Sequence, residues 1–133
     1  MNTQERIQEI CRIEPLFKYY TVDDIVASSD YCFGELTVKD RNFDILTVRH
    51  VCIVIKLISE KKVHVVGDFF NQDHSTVIHT VKVVLNALQG YDKKRKKRFI
   101  EILQSTNRLE TNVFDFEPKA LLTLQAKFNQ LHP

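Results

Sequence analysis

A chain of 133 residues that is 44% hydrophobic and 27% charged has the size and composition of one ordinary globular domain, which excludes wholesale disorder. No run approaches the ~18 consecutive apolar residues of a membrane span, and residues 1–6 contain no apolar secretory segment, so we expect a cytoplasmic protein. The formal net charge is only +2, because six consecutive basic residues (93–98) outweigh a charge of −3 in residues 1–92 and of −1 in residues 99–133.

Helical spacing and capping residues mark the beginning of the chain. Thr3–Ile13 carries apolar residues at helical intervals and is followed by Pro15, which predicts an amphipathic helix that ends before the proline. Thr21 is a good N-cap for a brief helix over residues 22–26, whose first turn is acidic and therefore suits the helix dipole.

Two segments raise the choice between strand and helix. Residues 28–40 show no helical period, and there we expect a short extended hairpin (31–33 and 36–38) around Gly34. Asp44–Glu60 is rich in β-branched residues, yet its apolar residues recur at steps of three and four. A strand of ~17 residues would also be unusually long. We therefore predict a long helix there, buried on most sides.

A short helix, a tight turn and a second helix follow. The short helix is predicted over Val63–Phe70, with Gly67 at a position where another backbone comes close, and residues 71–72 form the turn. Asp73 is a strong N-cap for a second helix that runs to Gln89. The residues predicted to point inward are Val63, Val66, Phe69, Phe70, Val77, Val81, Val84, Leu85 and Leu88. Those predicted to face outward are His74, Ser75, Thr76, His79 and Thr80, with His79 partly buried.

The remaining chain is predicted to be mostly helical. Residues 91–104 form a helix that begins with the basic run, residues 106–117 form a loop, and Pro118 opens a last helix at Lys119–Leu131. A second helix of about 17 residues is ~25 Å long, so the basic run is expected far from that helix's N-terminus unless the chain folds back. A run of this kind is typical of a solvated face or of a nucleic-acid patch.

Several catalytic and metal-binding patterns are missing from the sequence. The three glycines are isolated, so the chain has no phosphate-cradling glycine loop, and we expect neither a nucleotide nor a cofactor. The three cysteines lie far apart and are interpreted as buried small hydrophobic residues. His74 and His79 are five residues apart, which does not suit two metal ligands on one helical face. The sequence therefore predicts a protein that is not an enzyme and binds no metal.

One string of residues carries a family resemblance. Asp73-His74-Ser75-Thr76-Val77, preceded by Val66-Gly67-Asp68-Phe69-Phe70, resembles the C-terminal DNA-binding domain of the bacterial replication initiator DnaA. Residues 41–50 and 18–25 are similar to the family's basic loop and its opening segment, so the resemblance covers about residues 17–88. It implies an all-α fold with a helix-turn-helix core of the DnaA C-terminal-domain or Trp-repressor-like type.

The resemblance also implies a domain plan and a set of contacts with double-stranded DNA. An N-terminal helix (1–16) precedes the core (17–90, with an insertion near 31–40), and a C-terminal helical extension (91–133) follows. Asp73, His74 and Ser75 would contact base edges in the major groove, and Thr76 and Lys82 would contact phosphates. Arg49 would approach the major groove or the backbone, and Arg41 would reach the minor groove. The implied DNA-binding residues are Arg41, Arg49, Asp73, His74, Ser75, Thr76 and Lys82.

The chain also departs from the family pattern. Gln72 stands where the family usually has arginine, and residues 42–44 are Asn-Phe-Asp where lysine and arginine are frequent. The ATPase part of the family is absent from this sequence. Two functions therefore stay open: a sequence-selective module for double-stranded DNA, and a protein-interaction module that keeps the fold without binding a duplex. The C-terminal extension is a further candidate site for a protein partner.

Overall fold

The computed structural model describes residues 1–39 and 42–109, and this part of the chain is all-α, with no residue in a β-strand. The predicted loop after residue 105 is therefore described only as far as Leu109, and the predicted last helix lies outside the described residues. Seven α-helices occur in the described ranges: α1 (Thr3–Ile13), α2 (Val22–Ser28), α3 (Phe33–Leu36), α4 (Phe43–Glu60), α5 (Val63–Phe70), α6 (His74–Asn86) and α7 (Lys93–Ser105). A search of the same residues finds no helix with the length and apolarity needed to cross a membrane.

Local side-chain caps explain where several helices begin. The Asn2 side chain accepts the Glu5 amide at 2.8 Å and opens α1, and Thr21 and Asp24 cap α2 reciprocally. A 3₁₀ turn at Pro15–Lys18 connects these two helices. The predicted boundaries of α1 and α5 are confirmed, and α2 is two residues longer than predicted.

The hairpin predicted at 31–38 is wrong, because α3 occupies this segment. The Glu35 carboxylate accepts the Cys32 amide at 2.9 Å, a local bond that favours a helical turn over an extended strand. The turn also buries Leu36 completely and brings the Phe33 ring within 4.9 Å of the Phe69 ring. Burial of apolar groups therefore organises a segment in which the sequence shows no clear period.

The long α4 is the centre of the fold and confirms the helical prediction for this β-branched stretch. Ten of its 18 residues are buried, and it packs against α2, α3, α5, α6 and α7, while α1 lies across α6. A helix surrounded on most sides needs apolar residues around its whole circumference, which explains the lack of a clean polar face. The buried core includes residues from Ile7 in α1 to Leu103 in α7.

The end of α6 differs from the prediction. The α-helix stops at Asn86 and continues as a five-residue π-helical turn, Ala87–Tyr91, in which Gly90 adopts a φ of 100°. This left-handed conformation favours glycine. The chain turns back here, and Asp92 caps α7 through the Arg95 amide at 3.1 Å. As a result α7 packs on α4 and α2 instead of projecting away from the core.

Some exposure predictions fail for single residues. Phe69 was expected inside but is 41% exposed, and Thr80 was expected outside but is buried with its hydroxyl donating to the Thr76 carbonyl at 2.9 Å. Of the cysteines only Cys52 is fully buried, while Cys11 is half-buried and Cys32 is exposed. Other inward predictions, such as those for Val66, Phe70 and the Val77 stripe of α6, are confirmed.

Candidate nucleic-acid interface

The turn between α5 and α6 is held by a backbone contact that requires glycine. A Cβ atom on Gly67 would lie 2.6 Å from the Gln72 carbonyl oxygen, well inside van der Waals contact. The Gln72 amide donates to the Gly67 carbonyl at 2.8 Å, and Asn71 takes the left-handed conformation with φ 56°. The expectation of a close backbone approach at Gly67 is therefore confirmed.

Asp73 caps α6 and orients the side chains of Ser75 and Thr76. Its Oδ1 accepts the Thr76 amide at 3.0 Å, the Thr76 hydroxyl at 2.9 Å and the Ser75 hydroxyl at 2.8 Å. These bonds lower the pKa of the Asp73 carboxyl, and the bond from Ser75 has the largest effect. Because both hydroxyl protons point at Asp73, the two hydroxyl oxygens present acceptors outward, which suits an amino group of a base better than a phosphate.

One face of α6 is exposed and polar. Ser75, His79 and Lys82 follow one another at helical steps and are all exposed, and His74 is exposed beside them in the first turn. His79 was predicted to be partly buried, and this is wrong. No aspartate or glutamate occurs within α6, and Lys82 is its only lysine or arginine.

A groove of about 700 Å³ runs beside this face, between α6, α4 and α7. Four residues form the wall contributed by α6: Thr76, His79, Thr80 and Val83. The charged residues in its lining are Lys39, Arg49 and Arg95, all basic, and none of the ten described residues that line it is acidic. A groove of one charge sign attracts an anionic partner such as a phosphate backbone.

The assignment of Arg49 to an exposed DNA contact is not supported by its position. Arg49 is 5% exposed; its Nε donates to the Leu36 carbonyl at 2.7 Å and its Nη2 donates to the Val38 carbonyl. The end of α3 leaves carbonyl groups without helical partners, and the buried guanidinium satisfies them. Arg49 thus forms part of the groove wall while its guanidinium holds the 36–38 segment.

His50 is a site residue that sequence reasoning missed. Burial, together with the nearby Arg95, Arg49 and His79, lowers the pKa of its imidazole to about 4, so it is neutral at pH 7. Its Nδ1 is buried and has no hydrogen-bond partner among the described residues, and its ring lies 6.3 Å from that of Phe99. Neither the burial nor the cationic neighbours can be inferred from the local sequence around position 50.

The basic run lies closer to α6 than the sequence suggests. Because the chain turns back at Gly90, Arg95 reaches the groove that Thr76 and His79 also line. The basic run was expected far from the start of α6 unless the chain folds back, and this exception applies to Arg95. Arg41, which was assigned to the minor groove, lies outside the described residues.

Comparisons with known proteins add no family to this description. No protein-family model matches the chain, and neither the curated proteins nor the solved structures contain a significant match. Over residues 1–39 and 42–109, no group of three or more His, Cys, Asp or Glu side chains is placed to hold a metal ion. The exposed face of α6 and the basic groove beside it form the candidate site.

Proposed function

We propose that the protein is a sequence-selective double-stranded DNA-binding protein that uses α5, the turn and α6 as a helix-turn-helix of the DnaA C-terminal-domain type. The observation that carries the proposal is the exposed, acid-free face of α6 beside a groove whose charged residues are all basic. In this proposal the protein acts in the cytoplasm by binding alone, without catalysis, nucleotide or cofactor.

The first turn of α6 supplies the chemistry for reading bases. In a helix-turn-helix the N-terminal residues of the second helix enter the major groove. There the exposed imidazole of His74 can hydrogen-bond to a base edge, and the Ser75 oxygen accepts from a base amino group. Asp73 uses Oδ1 for the cap, so its other oxygen is the one that would accept from cytosine. Lys82, further along the same face, suits a phosphate.

The negative charge of residues 1–92 does not oppose this proposal, because it lies elsewhere. That stretch contains 13 acidic residues, and none of those that the structure describes lines the groove. The one acid at the start of α6 is Asp73, whose charge is engaged in the cap. Phosphate neutralisation depends on the charges that face the duplex, and here those are basic.

Binding to duplexes of random sequence, followed by selection of the preferred site, tests the proposal. For the selected site, His74→Ala is expected to reduce the preference over a scrambled duplex by about 1–3 kcal/mol, as for a lost base contact. His64→Ala removes an exposed histidine of α5 that does not line the groove, and it should leave the preference unchanged. Equal loss of affinity for both duplexes in the His74 variant would contradict base reading.

A protein-interaction module is the second candidate, and a different surface favours it. Tyr19 and Phe69 are 50% and 41% exposed, and both line a groove of about 580 Å³ at the end of α4. Exposed aromatic rings next to a groove are typical of a surface that binds another protein. Failure of the full chain to bind any duplex at ~50 mM salt, where phosphate contacts are strong, would favour this function.

A further inference from the structure

The basic helix α7 is fixed against the beginning of α4 by a cation–π contact and an ion pair. Lys94 Nζ lies 4.3 Å from the centre of the Phe43 ring. Arg98 Nε donates to Asp44 Oδ1 at 2.8 Å, and the other oxygen of Asp44 accepts the Tyr31 hydroxyl at 2.9 Å. The orientation of α7 around its own axis is therefore set, and each residue of the basic run has a defined direction.

Arg95 is the residue of the run that this orientation turns toward α6. It lines the same groove as Thr76 and His79, and its side chain is 35% exposed. Its Nη1 donates to Asp92 at 2.7 Å, which steadies the side chain and engages one of the two terminal nitrogens. A guanidinium has five N–H donors in a planar fork, so the remaining donors suit a phosphate.

We propose that α7 is a second phosphate-binding element of the same interface, in which Arg95 contacts the duplex backbone beside the bases that α6 reads. This inference rests on the proposed DNA-binding function and extends it to a residue outside the helix-turn-helix. Lys82 is the only lysine or arginine of α6, so a duplex bound there needs cationic partners from another element, and α7 contributes Arg95 to the groove.

The run also contains a matched control. Lys97 is exposed and lies two residues after Arg95, about 200° around the helix, so it faces away from the groove and is absent from its lining. Arg95→Gln and Lys97→Gln each remove one positive charge from the same helix. Any effect of total charge alone is therefore the same in both variants.

The experiment measures the affinity of the full chain for its selected duplex and for a scrambled duplex over a range of NaCl concentrations. Arg95→Gln is expected to lower the magnitude of the log–log salt slope by about 0.9, the value for one phosphate contact, with the ratio of the two affinities unchanged. Arg95→Lys should restore the slope because it restores the charge, and Lys97→Gln should leave it as in the parent. Thermal unfolding of each variant checks that the fold is intact.

Three results would overturn the inference. An equal log–log salt slope in the parent and in Arg95→Gln would show that Arg95 makes no phosphate contact, and the proposed DNA binding would be unaffected. Loss of site preference in Arg95→Gln would make Arg95 a base-reading residue instead of a phosphate contact. Absence of duplex binding by the parent at ~50 mM salt would end both this inference and the proposed function.

Discussion

α4 and α6 are both rich in β-branched residues, but they use their polar side chains in opposite ways. In α4 the side chains of Asp44, Arg49 and His50 are directed at other parts of the same molecule: Asp44 holds Tyr31 and Arg98, and Arg49 holds two carbonyl groups. In α6 the polar residues of one face are exposed to solvent. A polar residue that is engaged internally supports the fold, whereas an exposed one is available to a partner.

The largest expected effect that separates the two helices is at Arg49. Arg49→Ala leaves the carbonyl groups of Leu36 and Val38 without this donor, so the free energy of unfolding should fall by roughly 2–5 kcal/mol. Lys82→Ala, at an exposed position of α6, should change it by no more than about 0.5 kcal/mol. Urea denaturation measures both. A stable Arg49→Ala variant with weakened duplex binding would instead place Arg49 in the interface.

A second test uses the buried imidazole of α4. The pKa of His50 is about 4 in the folded protein and 6.5 in its ordinary state. At pH values between these two, His50 binds fewer protons in the folded protein than in the unfolded chain. Its contribution to stability is therefore complete above pH 6.5 and is lost as the pH falls, by on the order of 3 kcal/mol near pH 4. Urea denaturation at steps from pH 7.5 to 4.5 measures this slope.

His50→Gln should flatten the slope, because glutamine does not titrate. His64→Gln, which replaces an exposed histidine of α5, is the matched histidine-to-glutamine control. The carboxyl groups of Asp73 and Asp92 have pKa values lowered from 3.8, so they titrate below this window. The same slope in the parent and in His50→Gln would show that His50 is not the group responsible.

The smallest of the three effects concerns how α6 is seated on α5. Gly67→Ala forces a Cβ against the Gln72 carbonyl oxygen, and shifting the turn to relieve this contact should cost about 1–3 kcal/mol. Gly34→Ala is the control, because its Cβ would meet only Cys32 Sγ at 3.8 Å, an ordinary contact. Thermal unfolding and duplex affinity should both decline in the Gly67 variant. Equal behaviour of the two variants would remove the turn as a determinant of the site.

The features that could be predicted from the sequence are those set by neighbouring residues. The cap at Asp73 depends on residues no more than three positions away, and the close approach at Gly67 involves a residue five positions away. The helical period of α4 is likewise visible in the sequence itself. These local signals were enough to establish the all-α class and the order of most helices.

The features that could not be predicted depend on contacts between distant parts of the chain. Arg49 bonds to a residue 13 positions away, and Arg98 bonds to Asp44 across 54 positions. Asp44 accepts hydrogen bonds from both Arg98 and Tyr31, which lie 54 and 13 positions away in the sequence. Arg95 lies beside α6 because the chain turns back at Gly90, and the sequence of the basic run itself does not indicate this position.

The contact at Gly67 has a consequence for how any partner is recognised. The turn that leads into α6 packs on α5 through backbone atoms and cannot be moved by repacking side chains, so the beginning of α6 is presented in a fixed orientation. A pre-organised surface loses little conformational entropy on binding. A partner must then change its own shape to fit α6. If the partner is a duplex, a sequence that bends easily would be bound more tightly, even where the bend lies at base pairs that no side chain contacts.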